Sequence, residues 1–451
     1  MEHINDVQQL ARVVLTPDAP GYEEEVSGFQ TGFRQRPEVV IGAADADEVR
    51  RAVAYAAGRG LSVSVQATGH GLPGASEGGL LITTRRMDEV RVDPAARTVR
   101  VGAGVRWAQV VAATAPHGLA PLSGSSPGVG AVSYVLGGGI GLLGRRFGYA
   151  SDHVRALEVV TADGALRRLT PHGPDRDLWA ALLGGGNVVR LGVVTAMEID
   201  LFPVAALYGG YLRYGEESVA AAVRAYLEWT RGVPDEMTSG LAVLVYPDAP
   251  GLPEHLRGRY VATVSVAYAG DATTGARLVA PLRAAAPVLE DTLRELPYAE
   301  NATVYAEPDQ PHAYYGDNAM VRDLDADSAL RVLKATGPGQ PVWSVTQLSH
   351  LGGALARGGA EGGGGLDSVP HRSAAYAVRM LSALTPDVDV PRVRTLHREV
   401  FALLGEQVLG RAANFSFGGG DEVSGLHDPD LTARLSRAKR HYDAGGVFAH
   451  G

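Results

Sequence analysis

Three glycine-rich stretches constrain this chain more than any other feature of its sequence. They are Gly69, Gly71 and Gly74, then Gly124 to Gly148, then Gly184-Gly185-Gly186. Glycine accounts for 58 of 451 residues, nearly twice the usual share of roughly 7%. With 26 prolines the combined share still stays below the roughly 25–30% typical of disordered chains. The excess is therefore local, in loops whose backbone must approach a neighbour closely. The first stretch follows a strand–helix–strand pattern. Pro37 to Ile41 is β-rich, Asp45 to Gly58 carries Val49, Ala52, Val53 and Ala56 at helical spacing, and Leu61 to Val65 alternates. Short strands follow at 80–82, 90–92 and 98–101, a helix at 107–115, and a strand at 192–201 after the third stretch. Beyond Phe202-Pro203 the pattern changes: β-rich runs such as Tyr260 to Val266 alternate with alanine-rich helices over 218–229 and 276–286. Gly358 to Gly365 reads as a loop, and a helix over 429–442 closes the chain. The expectation is an α+β protein with a glycine-rich, ligand-handling first part and a second part that serves as scaffold.

Composition removes several kinds of chemistry. With no cysteine, disulfides, iron–sulfur clusters, thiolate-ligated zinc and thiol nucleophiles are all excluded. A formal charge of −9 leaves no footprint for nucleic acid or an anionic membrane. The opening MEHINDVQQL has no basic segment ahead of an apolar core, and no apolar run approaches the roughly 18 residues of a membrane span. The expectation is a cytoplasmic enzyme with no membrane partner. Gly139-Ile140-Gly141-Leu142-Leu143-Gly144 fits the dinucleotide pattern GxGxxG by spacing, but no strand pattern precedes it and Arg145-Arg146-Phe147 starts a helix poorly. Gly124-Ser125-Ser126-Pro127-Gly128 fits the GxSxG nucleophile elbow, yet Pro127 lacks the N–H that would complete an oxyanion hole, a loss of roughly 3–4 kcal/mol in the transition state. The thirteen histidines show no metal-ligand spacing, so no metal is expected. Thr68-Gly69-His70-Gly71 is left: a histidine between glycines, directly after a strand.

That histidine belongs to an ordered series. It runs through Arg36-Pro37-Glu38-Val39-Val40, Gln66-Ala67-Thr68-Gly69-His70, Val99 to Val105 and His117-Gly118-Leu119-Ala120. Leu136 to Gly141, Gly148-Tyr149-Ala150-Ser151-Asp152, Val159 to Gly164, Asp177-Leu178-Trp179-Ala180 and Gly192-Val193-Val194-Thr195 continue it. Fainter echoes lie at Gly352-Gly353-Ala354, Pro370-His371-Arg372 and 442–448. The series resembles the berberine-bridge-enzyme-like branch of the vanillyl-alcohol-oxidase (PCMH-type) FAD flavoproteins, densely over the first 200 residues and thinly afterwards. The resemblance implies a PCMH-type FAD-binding domain of two α/β subdomains over 1–204. It implies a substrate domain over 205–405, an antiparallel sheet covered by helices, and a segment 406–451 that returns to the first domain.

The resemblance also implies that the His70 ring is bonded to the 8α-methyl of FAD, a task suited to an imidazole that is neutral and nucleophilic. Family members often add a second bond from a cysteine in a G-x-C-P-x-V-G loop. Here Ser126 holds that place, and a hydroxyl is a far weaker nucleophile than a thiolate, so the FAD is expected to be monocovalent. The implied cofactor contacts are Ala67, Thr68, Gly69, Gly71, Leu72, Gly74 and Ser76, with Gly124, Ser125, Ser126, Val129 and Gly130 from the second stretch. Gly137, Gly139, Ile140, Asp152, Gly192, Val194 and Asn414 complete the set. Val129 stands where the family gates dioxygen, and a small side chain there goes with oxidase behaviour.

Two departures matter. Ala412 stands where the family's Y-x-N-[YF] segment places a tyrosine base, and the usual G-N-F-G is expanded to residues 186–192. Tyr314, Tyr315, Asp317 and His350 are candidates for the displaced base on chemistry alone. The expected protein is an FAD-dependent oxidase passing electrons from a small alcohol, amine or reduced ring to dioxygen, in bacterial secondary-metabolite tailoring or detoxification, as a monomer or homodimer. The alternative is a flavoprotein with structural FAD that binds or cyclises a ligand without net redox change.

Overall fold

The computed structural model of the chain describes residues 8–183, 190–358, 369–420 and 424–448. Gly184 to Gly186, the expanded segment through Val189, and most of the loop expected at 358–365 lie outside the described residues. The fold begins with β1 (Val14–Leu15), β2 (Gln35–Arg36), β3 (Val39–Gly42), β4 (Val63–Gln66), β5 (Ser76–Glu77) and β6 (Leu80–Thr83). Between β3 and β4 the helix Ala46–Arg59 starts on Asp45, whose carboxylate accepts the Glu48 amide and so satisfies a donor of the first turn. It stops on Gly60 at φ 67°, a left-handed C-cap that glycine adopts freely. The helix turns Val49, Ala52, Val53 and Ala56 onto a four-stranded sheet of order β1-β3-β6-β4, in which β3 and β4 both run parallel to β6. The loop bearing His70 thus leaves the carboxyl end of a parallel strand, where open α/β sheets characteristically place ligands.

A second, antiparallel sheet follows. It is built of β7 (Val90–Asp93), β8 (Thr98–Gly102), β9 (Val154–Val160), β10 (Leu166–Leu169) and β11 (Val193–Asp200), in the order β10-β9-β11-β8-β7. Val99, Val101, Leu157, Val159 and Ile199 from its strands form one core with Trp107, Leu122 and Leu178. The GxGxxG stretch lies between the helix Ala131–Leu136 and the four-residue helix Gly144–Phe147, so no strand feeds it and no Rossmann unit exists there.

The third sheet has nine strands: β12 (Ala206–Tyr214), β13 (Met237–Val245), β14 (Tyr260–Tyr268), β15 (Glu290–Asp291), β16 (Arg294–Pro297), β17 (Tyr314–Val321), β18 (Ser344–His350), β19 (Tyr376–Ala383) and β20 (Val408–Gly410). The pairings are antiparallel, in the order β15-β12-β14-β13-β18-β19-β17-β20, with β16 also on β12. Strand residues alternate between faces. Leu212, Tyr214, Val264, Val266, Leu348, Val378 and Met380 meet the helices Val219–Thr230, Ala272–Ala285, Ala326–Thr336 and Val390–Ala402 on one side. The other face looks toward the first two sheets. The chain then returns: Leu431, Leu435 and Ala438 of the helix Pro429–Tyr442 enter the core of the second sheet, and the Val63 amide donates to Val447 O at 2.7 Å. The whole is an α+β protein in which an antiparallel, helix-covered sheet roofs two smaller sheets. Among the described residues no helix is long and apolar enough to cross a membrane.

Candidate active site

A cavity of about 1010 Å³ opens between the glycine loops and the uncovered face of the nine-stranded sheet, at the upper end of the range typical of ligand pockets. Two glycines build its His70 corner. The amides of Phe29 and Gln30 donate to Thr68 O and Gly69 O, at 2.9 and 3.0 Å. This drives Gly28 and Gly69 together so closely that a Cβ on Gly69 would lie 2.6 Å from Gly28 Cα. Gly69 has φ +68°, so both sterics and backbone conformation require glycine. The crossing presses the Phe29 ring onto the His70 ring, with centroids 4.0 Å apart and planes 7° from parallel.

The imidazole is further fixed by Thr68 Oγ1, 2.8 Å from its Nδ1, while Tyr314 Oη donates to the His70 carbonyl at 2.6 Å. Nε2 is buried and has no hydrogen-bond partner among the described residues. Burial first, then the charges of Arg106 and His312, push the His70 pKa down to about 4, so the ring is neutral at neutral pH. The second glycine loop lies opposite: a Cβ on Gly128 would sit 3.6 Å from His70 Nε2.

Of the residues singled out from sequence, Ala67, Thr68, Gly69, His70, Gly71, Leu72, Gly74 and Ser76 line the cavity. Gly124, Ser125, Ser126, Val129, Ile140, Gly192, Val194 and Asn414 line it as well. Gly130, Gly137, Gly139 and Asp152 do not, and each has a local task instead. Gly130 precedes the helix Ala131–Leu136, and Gly137 follows it. Gly139, at φ +80°, leaves no room for a Cβ between the Tyr134 ring and Ala150. Asp152 pairs with Arg372 at 2.6 Å, tying the second sheet's module to the third.

Among the four candidate bases the structure divides sharply. Tyr314 lines the cavity, but its hydroxyl is committed to the His70 carbonyl, and burial raises its pKa, with Glu307 adding to the effect. Tyr315 and Asp317 occupy the opposite face of β17, because strand neighbours alternate. Tyr315 packs against His397, Val342 and Val393, and Asp317 pairs with Arg411 at 2.8 Å. His350 ends β18 on the helix side, its Nε2 3.1 Å from Arg145 Nη1 and its ring near Tyr376. These three are therefore withdrawn as groups acting on a ligand in the cavity.

His350 instead makes a stability prediction. Burial, then Arg145, lowers its pKa from 6.5 to about 3. The unfolded chain takes up a proton below pH 6.5 that the folded protein refuses, so stability falls as the pH drops. Between pH 7 and 5 this one ring should cost about 2 kcal/mol. Thermal melts of His350→Gln at the two pH values should show a correspondingly smaller loss than the parent; an equal loss would remove the assignment.

Several lining groups were not among the contacts drawn from the sequence: Gln66, which the His70 series contains, and Tyr134, Thr263, Tyr305, Glu307, Gln347 and Arg379. Glu307 is the single carboxylate on the described lining, and Ser125 Oγ donates to it at 2.7 Å. Arg379 lies over the Phe415 ring, 3.7 Å from its centroid. A charged residue inside the β-rich run Tyr376–Ala383 was a signal available in the sequence, since strands rarely bury a charge without a purpose. Nothing around Glu307 marked it, because it sits on an irregular segment brought in from a distant part of the chain.

This chamber fits the flavin that the His70 series implies. The ring nitrogen facing it is neutral and unpartnered, and the loops at Gly69 and Gly128 leave space that a side chain would fill. Residues 37–170 match the family model described as an FAD binding domain. The chain is 27% identical to an (R)-6-hydroxynicotine oxidase of Paenarthrobacter nicotinovorans over 300 residues, 65% of this chain and 63% of that protein, just under two thirds of its length. It is 24% identical to an FAD-linked oxidoreductase of Dictyostelium discoideum over 449 residues, covering 98% of this chain and 94% of the other. The solved structure of a BBE-like protein of Physcomitrella patens superposes with a TM-score of 0.83 at 19% identity, over 98% of this chain and 97% of that one. Residues 37–170 thus match an FAD binding domain, and the chain as a whole shares its fold with the solved BBE-like protein.

Proposed function

We propose that this enzyme is a dioxygen-using oxidase that holds FAD through one covalent bond to His70 and oxidises a small organic substrate beneath the nine-stranded sheet. The observation that carries the reading is the His70 ring itself: neutral, stacked on Phe29, anchored at Nδ1, with Nε2 buried and unpartnered at the cavity wall. Bound there, FAD supplies two-electron redox chemistry. Residues 1–204 and the returning segment 406–451 would hold the cofactor, and 205–405 would present the substrate.

Within that frame each lining group has a task. Thr68 and Tyr314 hold the imidazole and its carbonyl in place. Ser126, a poor nucleophile, adds no second bond. Val129 leaves room for dioxygen. Glu307, held by Ser125, takes the substrate's proton, replacing the base absent at Ala412. A relative named for oxidising 6-hydroxynicotine supports a small organic substrate, in keeping with bacterial tailoring or detoxification.

Acid precipitation tests the attachment. The washed pellet of the parent should stay yellow, that of His70→Ala should lose its colour, and that of Ser126→Ala should keep it. A colourless parent pellet, or a yellow His70→Ala pellet, would refute the bond.

A further inference from the structure

The polar groups on the sheet side of the cavity are not scattered. Thr263 on β14, Ala242 on β13, Gln347 on β18, Arg379 on β19 and Asn318 on β17 stand directly opposite one another on successive strands. They form one rank, which Arg213 on β12 continues beside Thr263, while Leu244, Val345 and Leu381 give the same face apolar ground on the cavity. Three members of the rank hold a buried side-chain atom with no hydrogen-bond partner among the described residues: Thr263 Oγ1, Gln347 Oε1 and Arg379 Nε. At about 4.8 Å per strand they span roughly 14 Å, the scale of a small organic molecule.

Arg379 is the member that defines the chemistry. A guanidinium stays charged in proteins, and a buried charge without a counter-ion is costly. Two other arginines on the lining are neutralised, Arg213 by Glu290 at 2.5 Å and Arg411 by Asp317 at 2.8 Å. Arg379 forms no ion pair among the described residues. Glu307 acts on it only through space and is engaged instead by Ser125. Phe415 beneath the guanidinium fixes its plane, which orients the fork before any ligand arrives. A planar fork with fixed orientation matches the two oxygens of a carboxylate.

We propose that the substrate is a small organic acid, its carboxylate anchored by Arg379 and its remaining polar groups read by Gln347 and Thr263. The proposal rests on the cavity being the substrate chamber of the oxidase. It adds a substrate class, and its test does not depend on turnover.

The probes are benzoate and phenylacetate against their neutral isosteres benzamide and phenylacetamide, titrated calorimetrically into the yellow holoenzyme. At least one carboxylate should bind, and more tightly than its amide. Arg379→Gln should weaken it by roughly 30-fold or more while barely changing the amide, and Arg379→Lys should recover only part of the loss. Removing a charge without an internal partner should not lower the melting temperature, so a folding failure is separable from lost recognition. Equal binding of acid and amide, no binding of either carboxylate, or unchanged carboxylate affinity in Arg379→Gln would each overturn the proposal. A shifted flavin absorption band in Arg379→Gln with unchanged carboxylate affinity would reassign the guanidinium to the cofactor. A colourless protein would defeat the flavin reading alone, since the calorimetric comparison stands without colour.

Discussion

Glu307→Gln is expected to slow oxidation of the bound substrate by a factor of roughly 10²–10⁴ while leaving fold and flavin attachment intact. The substitution keeps size and shape, and the amide oxygen can still accept the Ser125 hydroxyl that donates to the carboxylate at 2.7 Å. Only the ability to take a proton is lost. No other carboxylate lines the described cavity, and the Tyr314 phenol is pushed up by burial and committed to the His70 carbonyl, so no neighbour stands ready to substitute. Anaerobic mixing with substrate, followed by bleaching of the flavin band, isolates the reductive half-reaction. A rate within a few-fold of the parent would remove Glu307 from the chemistry.

Gly69→Ala should lower the melting temperature by roughly 2–4 °C, from a loss of about 2–4 kcal/mol, and should sharply reduce the acid-stable flavin. Two costs add. The residue sits at φ +68°, and the new methyl would lie 2.6 Å from Gly28 Cα, a backbone atom that cannot swing aside. Either the Gly28 segment or the His70 loop must move, and both alter the stack of Phe29 on the imidazole. Gly71→Ala is the steric control two residues on: among the described residues its methyl would meet the Phe417 ring at 3.8 Å, so it should melt like the parent. Matching behaviour of the two variants would mean that the crossing of the two glycines does not position His70.

The first half of the chain was far more legible than the second. The strand–helix–strand at 39–66 and the loop that follows read directly because period-two and period-3.6 patterns mark local structure. Most residues implied by the His70 series do line the cavity, since they are consecutive stretches of loop leaving strand ends. Tyr315, Asp317 and His350 were misplaced as candidate bases for one reason: chemistry names a residue type, but strand parity decides which face it occupies. One position along β17 separates Tyr314 on the cavity from Tyr315 in a different core.

By itself, then, the sequence determined the glycine-rich first half, the absence of thiol chemistry and the histidine set between glycines after a strand, because each is a property of neighbours along the chain. Only tertiary structure decided what faces that histidine. Glu307 comes from an irregular segment 237 positions downstream of His70. The rank of Thr263, Gln347 and Arg379 exists only through the register of strands that are far apart in sequence. Hydrogen-bonded pairing across a sheet sets such alignments, and no local periodicity encodes them.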